Sequence, residues 1–154
     1  MKRPGMMSGA VLVALALAAP AAAAELKAGE LTFTGMQIRT VPAGVPNTAG
    51  YLVIANSGAR PDKLLSATCA CARKVELHLS HQMSGVAMMM PEAAVEIPAR
   101  GKVVLAPSGL HLMVVGLKAP LDEGADQPIE LKFAHAGTVT VPFQVRTRIE
   151  ADGR

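Results

Sequence analysis

Apolar residues recur along this chain in short runs, some alternating with polar positions and some continuous, and Gly, Pro, Asn and Asp separate the runs at close intervals. Residues 31–40 alternate loosely and carry Thr, Phe and Ile, which suit a pleated, half-buried surface. Residues 41–47 are turn formers and predict a loop. Residues 50–55 are continuously apolar and predict a buried strand, ended by Asn56-Ser57-Gly58. A short apolar stretch follows at 63–67. Residues 74–80 alternate cleanly, with Val75, Leu77 and Leu79 on one face and Glu76, His78 and Ser80 on the other. Ser84-Gly85 predicts a turn into a short strand at 86–90, stopped by Pro91. Further strands are predicted at 95–98, 102–106 and 110–117, then a hairpin of 129–135 and 138–146 across Ala136-Gly137. Residues 150–154 are a polar tail, expected to fray. Short strands at this spacing, with no strong helical period, predict an all-β domain, a sandwich or a barrel.

The N-terminus follows a different pattern. Lys2 and Arg3 precede an apolar run at 10–19, and Ala22-Ala23-Ala24 supplies small residues after it. That order is the pattern of a secretory signal peptide with cleavage after Ala24. The expected organisation is therefore a signal peptide at 1–24 and one domain at 25–154, with its core at about 30–146. The apolar run is short and interrupted by Pro20, so no membrane span is expected once it is removed, and no later segment is long and apolar enough to cross a bilayer. Losing Lys2 and Arg3 takes the net charge from +3 to +1. A near-neutral domain lacks the concentrated basic surface that nucleic acid requires. With three Phe, one Tyr and no Trp, the core must rest on Val, Leu, Ile and Met.

The chemistry-bearing residues are clustered. Of the methionines after residue 24, five (Met83, Met88, Met89, Met90 and Met113) fall in one window, which also holds His78 and His111, with His81 between them. Thioethers are soft ligands that select Cu(I), and imidazole accepts either copper oxidation state. The set is a poor one for zinc, which prefers thiolate, imidazole and carboxylate. Strand alternation projects His111 and Met113 together, away from Leu110, Leu112 and Val114, and sets His78 opposite the Val75, Leu77 and Leu79 face. Met89 points away from the side taken by Met88 and Met90, although alternation does not say which side faces a site. Methionine is also a common core filler, and a strand histidine is commonly solvated or hydrogen-bonded, so pattern alone leaves both a copper site and ordinary packing open. His135, beside a hairpin turn, reads as solvated.

The spacing adds a resemblance. Val75-Glu76-Leu77-His78, ten residues, Met89, twenty-one residues and His111-Leu112-Met113 resemble the signature of the PCuAC family of periplasmic copper chaperones. The loop from Pro42 to Asn47, Ile97-Pro98-Ala99-Arg100-Gly101 and the run from Gly109 into Gly116-Leu117-Lys118 are further matches, and the resemblance covers about residues 30–146. It implies a cupredoxin-like Greek-key β-sandwich in the periplasm. It implies Cu(I) held by His78, Met89, His111 and Met113, and delivery to the binuclear copper centre of cytochrome c oxidase. It implies two partners, a copper-receiving oxidase subunit and a thiol-bearing copper chaperone. It implies a carrier rather than an enzyme, in keeping with the lack of a Ser/His/Asp order, carboxylate pair or phosphate loop.

The chain departs from that family's pattern at three points. Ile38-Arg39 stands where a tryptophan is often found, which should affect packing only. His81, Met83, Met88 and Met90 crowd the window and could hold a second copper as Cu(II). Cys69 and Cys71 precede the His78 strand and, with His81 and Met83, are candidate auxiliary ligands. A bridge between cysteines two apart would close a very small ring, and the alternatives are a free buried thiol pair or a Cu(I) chelate. Two rival functions remain at this stage. A blue copper electron carrier would need Cys71, His78, His111 and Met113 around one ion. An exported, metal-free β-sandwich that binds another protein would use the methionines as core or interface.

Overall fold

A computed structural model describes residues 24–150. The expected signal peptide, apart from Ala24 at its end, lies outside the described residues, as do residues 151–154 of the polar tail. Eleven strands form among the described residues: β1 (Glu25–Ala28), β2 (Leu31–Arg39), β3 (Asn47–Asn56), β4 (Asp62–Thr68), β5 (Ala72–Met83), β6 (Val86–Pro91), β7 (Val95–Ile97), β8 (Gly101–Leu105), β9 (Leu110–Leu117), β10 (Asp126–Phe133) and β11 (Thr138–Arg146). The all-β expectation holds. β1 was not expected: its four residues, Glu-Leu-Lys-Ala, offer one alternating pair against β2 and little apolar signal.

Seven strands close on themselves in the order β2-β11-β10-β4-β5-β9-β3, and β3 returns to β2. The sandwich expected from the sequence is thus joined along its edges into a barrel. Within that ring β11 runs parallel to β2, and the remaining pairings are antiparallel. β1, β6, β7 and β8 attach to the ring without belonging to it.

The interior is filled from every wall. Phe33, Ile38, Ile54, Leu64, Leu112, Val114, Ile129, Leu131, Val141 and Phe143 are fully enclosed. Ile38, standing where the related pattern has tryptophan, is core. β2 keeps its apolar residues inward by a change of phase: Leu31 and Phe33 are buried, then Met36 and Ile38. The register against β3 shifts between Thr34 and Gln37, and Gly35 within that shift adopts a φ of 60°. One extra residue, in a conformation open to glycine, turns the second half of the strand back to the core.

Asp62 is a buried carboxylate at the start of β4. Its Oδ1 accepts the N–H groups of Lys63 (2.7 Å) and His135 (2.9 Å), and its Oδ2 accepts that of Ala136 (2.9 Å), tying β4 to the β10–β11 turn. Burial alone would raise its pKa, but the three N–H donors outweigh that and hold the carboxyl below its ordinary value. A depressed folded-state pKa contributes stability above the unfolded value and loses it as pH falls through the folded one. Urea midpoints should therefore fall on acidification below about pH 4, and Asp62→Asn should flatten that part of the profile while costing about 1–3 kcal/mol at neutral pH. An unchanged acid profile in the variant would remove Asp62 from this role.

Candidate metal centre

Three neighbouring strands, β6, β5 and β9, bring the candidate residues together. In an antiparallel ladder, residues directly opposite share a face. His78 on β5 stands opposite His111 on β9, and Glu76 stands opposite Met113. On the other flank Ser80 stands opposite Met89 of β6. Ser80 and Glu76 are two residues from His78 in either direction, so His78, Met89, His111 and Met113 all lie on one face. That answers the question alternation left open: Met89, and not Met88 or Met90, is on the histidine side. The chain reaches β6 through a two-residue turn in which Ser84 and Gly85 both have positive φ (54° and 79°), the geometry that matches the twist of a tight hairpin.

The two imidazoles lie 5.9 Å apart between ring centres and are tilted by 59°. Each has one nitrogen engaged and the other left over. His111 Nδ1 lies 3.0 Å from the Gly109 carbonyl, so as the donor it leaves the Nε2 lone pair free. His78 Nε2 lies 3.2 Å from Glu76 Oε2. Its Nδ1 is a buried side-chain polar atom without a hydrogen-bond partner, the sole one identified among the described residues. A buried lone pair with no partner is costly unless something coordinates it. Backbone carbonyl and carboxylate partners on the far nitrogens are the usual way a ligating histidine is oriented and its tautomer fixed.

Glu76 also accepts a hydrogen bond from Lys74 Nζ at 2.7 Å. That bond, then the Lys74 charge and the contact with His78, hold its carboxyl below the usual range against a smaller opposing effect of desolvation, so it stays ionised. Sequence reasoning did not assign Glu76 to the site, although its position two residues before His78 on the same face was visible.

Burial is graded across the quartet. His111 is only 4% exposed, Met113 is half-buried and Met89 is 60% exposed. Alternation directed His111 away from the core, yet it is enclosed, and Val41, Pro107 and Ser108 from neighbouring loops border the same cleft. Met89, His111 and Met113 line a cleft of about 440 Å³ with Thr48 and Tyr51. The Thr48 hydroxyl is committed to the Arg39 carbonyl at 2.6 Å. Burial raises the Tyr51 pKa against the opposing Arg39 charge, so the phenol stays neutral. No group of three or more His, Cys, Asp or Glu with metal-binding geometry occurs among the described residues. The thioethers are therefore required to complete any donor set here, and thioethers favour soft, low-valent ions.

The auxiliary candidates do not join this face. Cys69 and Cys71 are joined to each other in a disulfide. They precede β5, and Cys71 is seven residues before His78, roughly 23 Å along an extended strand. Both distance and bonding exclude them from an ion at His78, and with Cys71 goes the blue copper arrangement. His81 stands opposite Met88, and Met83 opposite Val86, on the reverse face of the β5–β6 hairpin. Each stands an odd number of positions from His78, three and five, so the pleat puts it on the opposite face, while the chain at His81 still borders the cleft. His135 is exposed, as expected.

The fold and this donor arrangement define a cupredoxin-like β domain with a histidine and methionine cluster at one sheet face. The family model described as "Putative lipoprotein LpqE-like" matches residues 31–145, and the chain belongs to that family, which is the PCuAC family. A curated relative, the "Putative lipoprotein Lxx21020" of Leifsonia xyli subsp. xyli, is 32% identical over 105 residues, 68% of this chain. The chain matches 63% of that relative's length. Among solved structures, the copper-bound PCuAC domain from PmoF2 superposes with a TM-score of 0.70 at 26% identity, covering 81% of this chain and 99% of that domain. The solution structure of apo-DR1885 from Deinococcus radiodurans gives 0.62 at 31% identity, covering 96% of this chain and 99% of that one. Its Cu(I) form gives 0.59, also at 31% identity, covering 86% and 85% respectively.

Proposed function

We propose that this chain is a periplasmic copper chaperone that carries Cu(I) between His78, Met89, His111 and Met113 and acts by binding rather than by catalysis. The observation that carries this reading is the unpartnered, buried Nδ1 of His78 on the face shared with the other three side chains. Two neutral imidazoles and two thioethers offer an uncharged, soft set, suited to a monovalent copper ion as cargo. The copper-bound PmoF2 domain and Cu(I)-DR1885 support the same reading by likeness. Delivery to the binuclear copper centre of cytochrome c oxidase, with a thiol-bearing chaperone as co-worker, rests on the family resemblance. Export rests on the order of residues 1–24 and on the lipoprotein name of the relative.

An anaerobic titration with Cu(I) against a chromophoric chelator tests the proposal, using protein recovered from the periplasm, whose first residue should be Glu25. One tight equivalent is expected. The double substitution Cys69→Ser, Cys71→Ser should leave it in place, because those sulfurs sit at the far end of β5. Loss of tight binding in that variant, or its absence in the native protein, would overturn the ligand assignment.

A further inference from the structure

The β5–β6 hairpin extends to an edge of the sheet, since β6 pairs with β5 alone, and it has a second face. Ser80, Gln82, Ala87 and Met89 look toward the cleft, which the segment through His81 also borders. On the reverse, Leu79 stands opposite Met90, His81 opposite Met88, and Met83 opposite Val86. The three methionines there are 56% (Met83), 41% (Met88) and 48% (Met90) exposed. Methionine in a core fills gaps between other side chains, but these three side chains stand largely in solvent. Residues 79–90 contain no charged side chain, so the surface is not an ion-paired one either.

What the register does place together is one imidazole among three thioethers. Cβ atoms directly opposite across an antiparallel pair are about 4.5–5.5 Å apart, and diagonal neighbours about 7–8 Å. His81 and Met88 form a direct pair, and Met83 and Met90 flank it on opposite sides, each one step from the pair but too far from the other to share an ion with it. Methionine's three rotatable bonds let each sulfur swing toward the imidazole.

We propose that this reverse face is a second soft-metal site, in which His81 and Met88, with Met83 or Met90 as third ligand, bind a monovalent d10 ion such as Cu(I) or Ag(I). The site is separate from the His78 quartet and does not depend on it. Thioethers and an imidazole carry no negative charge and select the low-valent ion, so the second copper expected from the sequence as Cu(II) becomes Cu(I). Binding is ligand exchange with no change of oxidation state. The site is the weaker of the two, because its exposed side chains must be ordered when the ion binds, whereas His78 and His111 are already held by Glu76 and Gly109.

Ag(I), which mimics Cu(I) without redox chemistry, is titrated into the full periplasmic protein with methionine methyl groups labelled with carbon-13. The first equivalent should shift the Met89 and Met113 methyl signals, and a second should shift that of Met88 and of at least one of Met83 and Met90. The triple substitution Met83→Leu, Met88→Leu, Met90→Leu keeps the surface apolar and of similar size, and it should abolish the second equivalent while sparing the first. A role in docking a protein through apolar contact would tolerate those changes. The proposal is overturned if only one equivalent binds, if the second moves none of the three signals, if equimolar free methionine removes it, or if the leucine variant still takes it up. Should the hairpin signals move while Met89 and Met113 stay fixed, the second site stands and the assignment of the first fails.

Discussion

His111→Ala should lower affinity for both Cu(I) and Cu(II), by more than the roughly 10–100-fold that loss of a supporting residue typically costs a metal site. His111 is the most enclosed of the four candidate ligands, its ring is oriented by the Gly109 carbonyl, and it stands directly opposite His78. Imidazole serves either oxidation state, so removing it cannot discriminate between them. Met113→Ala should discriminate: a thioether adds much to Cu(I) and little to Cu(II). Both side chains leave the same face of β9, two residues apart, and the core side of that strand, Leu112 and Val114, is untouched by either change. Competition titrations in each oxidation state read the difference, and urea denaturation of the apo forms checks that folding is preserved. Equal losses of Cu(I) and Cu(II) affinity in Met113→Ala would mean that Met113 acts by packing.

Phe143→Ala should remove about 3–5 kcal/mol of stability, a large part of the roughly 5–15 kcal/mol that holds a domain of this size folded. Phe143 on β11 is fully enclosed, and its ring crosses the interior to the wall that carries the site. A Cβ built on Gly50 would lie 3.5 Å from the Phe143 ring and 3.6 Å from Leu112. Gly50 is the β3 residue opposite Leu112, which stands between His111 and Met113. Truncating the ring therefore opens a cavity directly behind two candidate ligands. Urea unfolding should show the loss, and Phe143→Leu should recover most of it by refilling the volume. A loss below about 1 kcal/mol in the alanine variant would contradict the packing described here.

Most of the strands were legible because their apolar positions repeat with a period of two, and the strand from Leu110 to Leu117 coincided with its expected bounds. Misses fell where that signal thins. β1 is four residues of mixed character, and β3 begins at Asn47, directly after a proline-rich loop that reads as turn. β10 begins three residues early and runs through Pro128, which propensity reads as a break. In the site, the parity of His78, Met89, His111 and Met113 was readable residue by residue, and so was the opposite parity of His81 and Met83. Burial of His111 was not readable, because alternation distinguishes the two faces of a strand but not which parts of the outer face other segments cover. Nor could sequence show that Glu76 takes one nitrogen of His78 and strands the other, since that depends on rotamers. The Cys69–Cys71 bond ran against the argument from ring size.

The gradient of enclosure from His111 to Met89 has a consequence for the order in which contacts to a carried ion would break. Three of the four donors belong to the barrel wall, whereas Met89 sits on an edge strand with more than half of its surface in solvent. A thioether is also the most weakly held kind of ligand in the set. An incoming thiolate or thioether from another molecule can therefore replace Met89 first, while His78, His111 and Met113 still hold the ion, and the remaining contacts can then be exchanged one at a time. Hand-over by that route is associative: its rate rises with the concentration of the acceptor, and at no stage is the ion released to water.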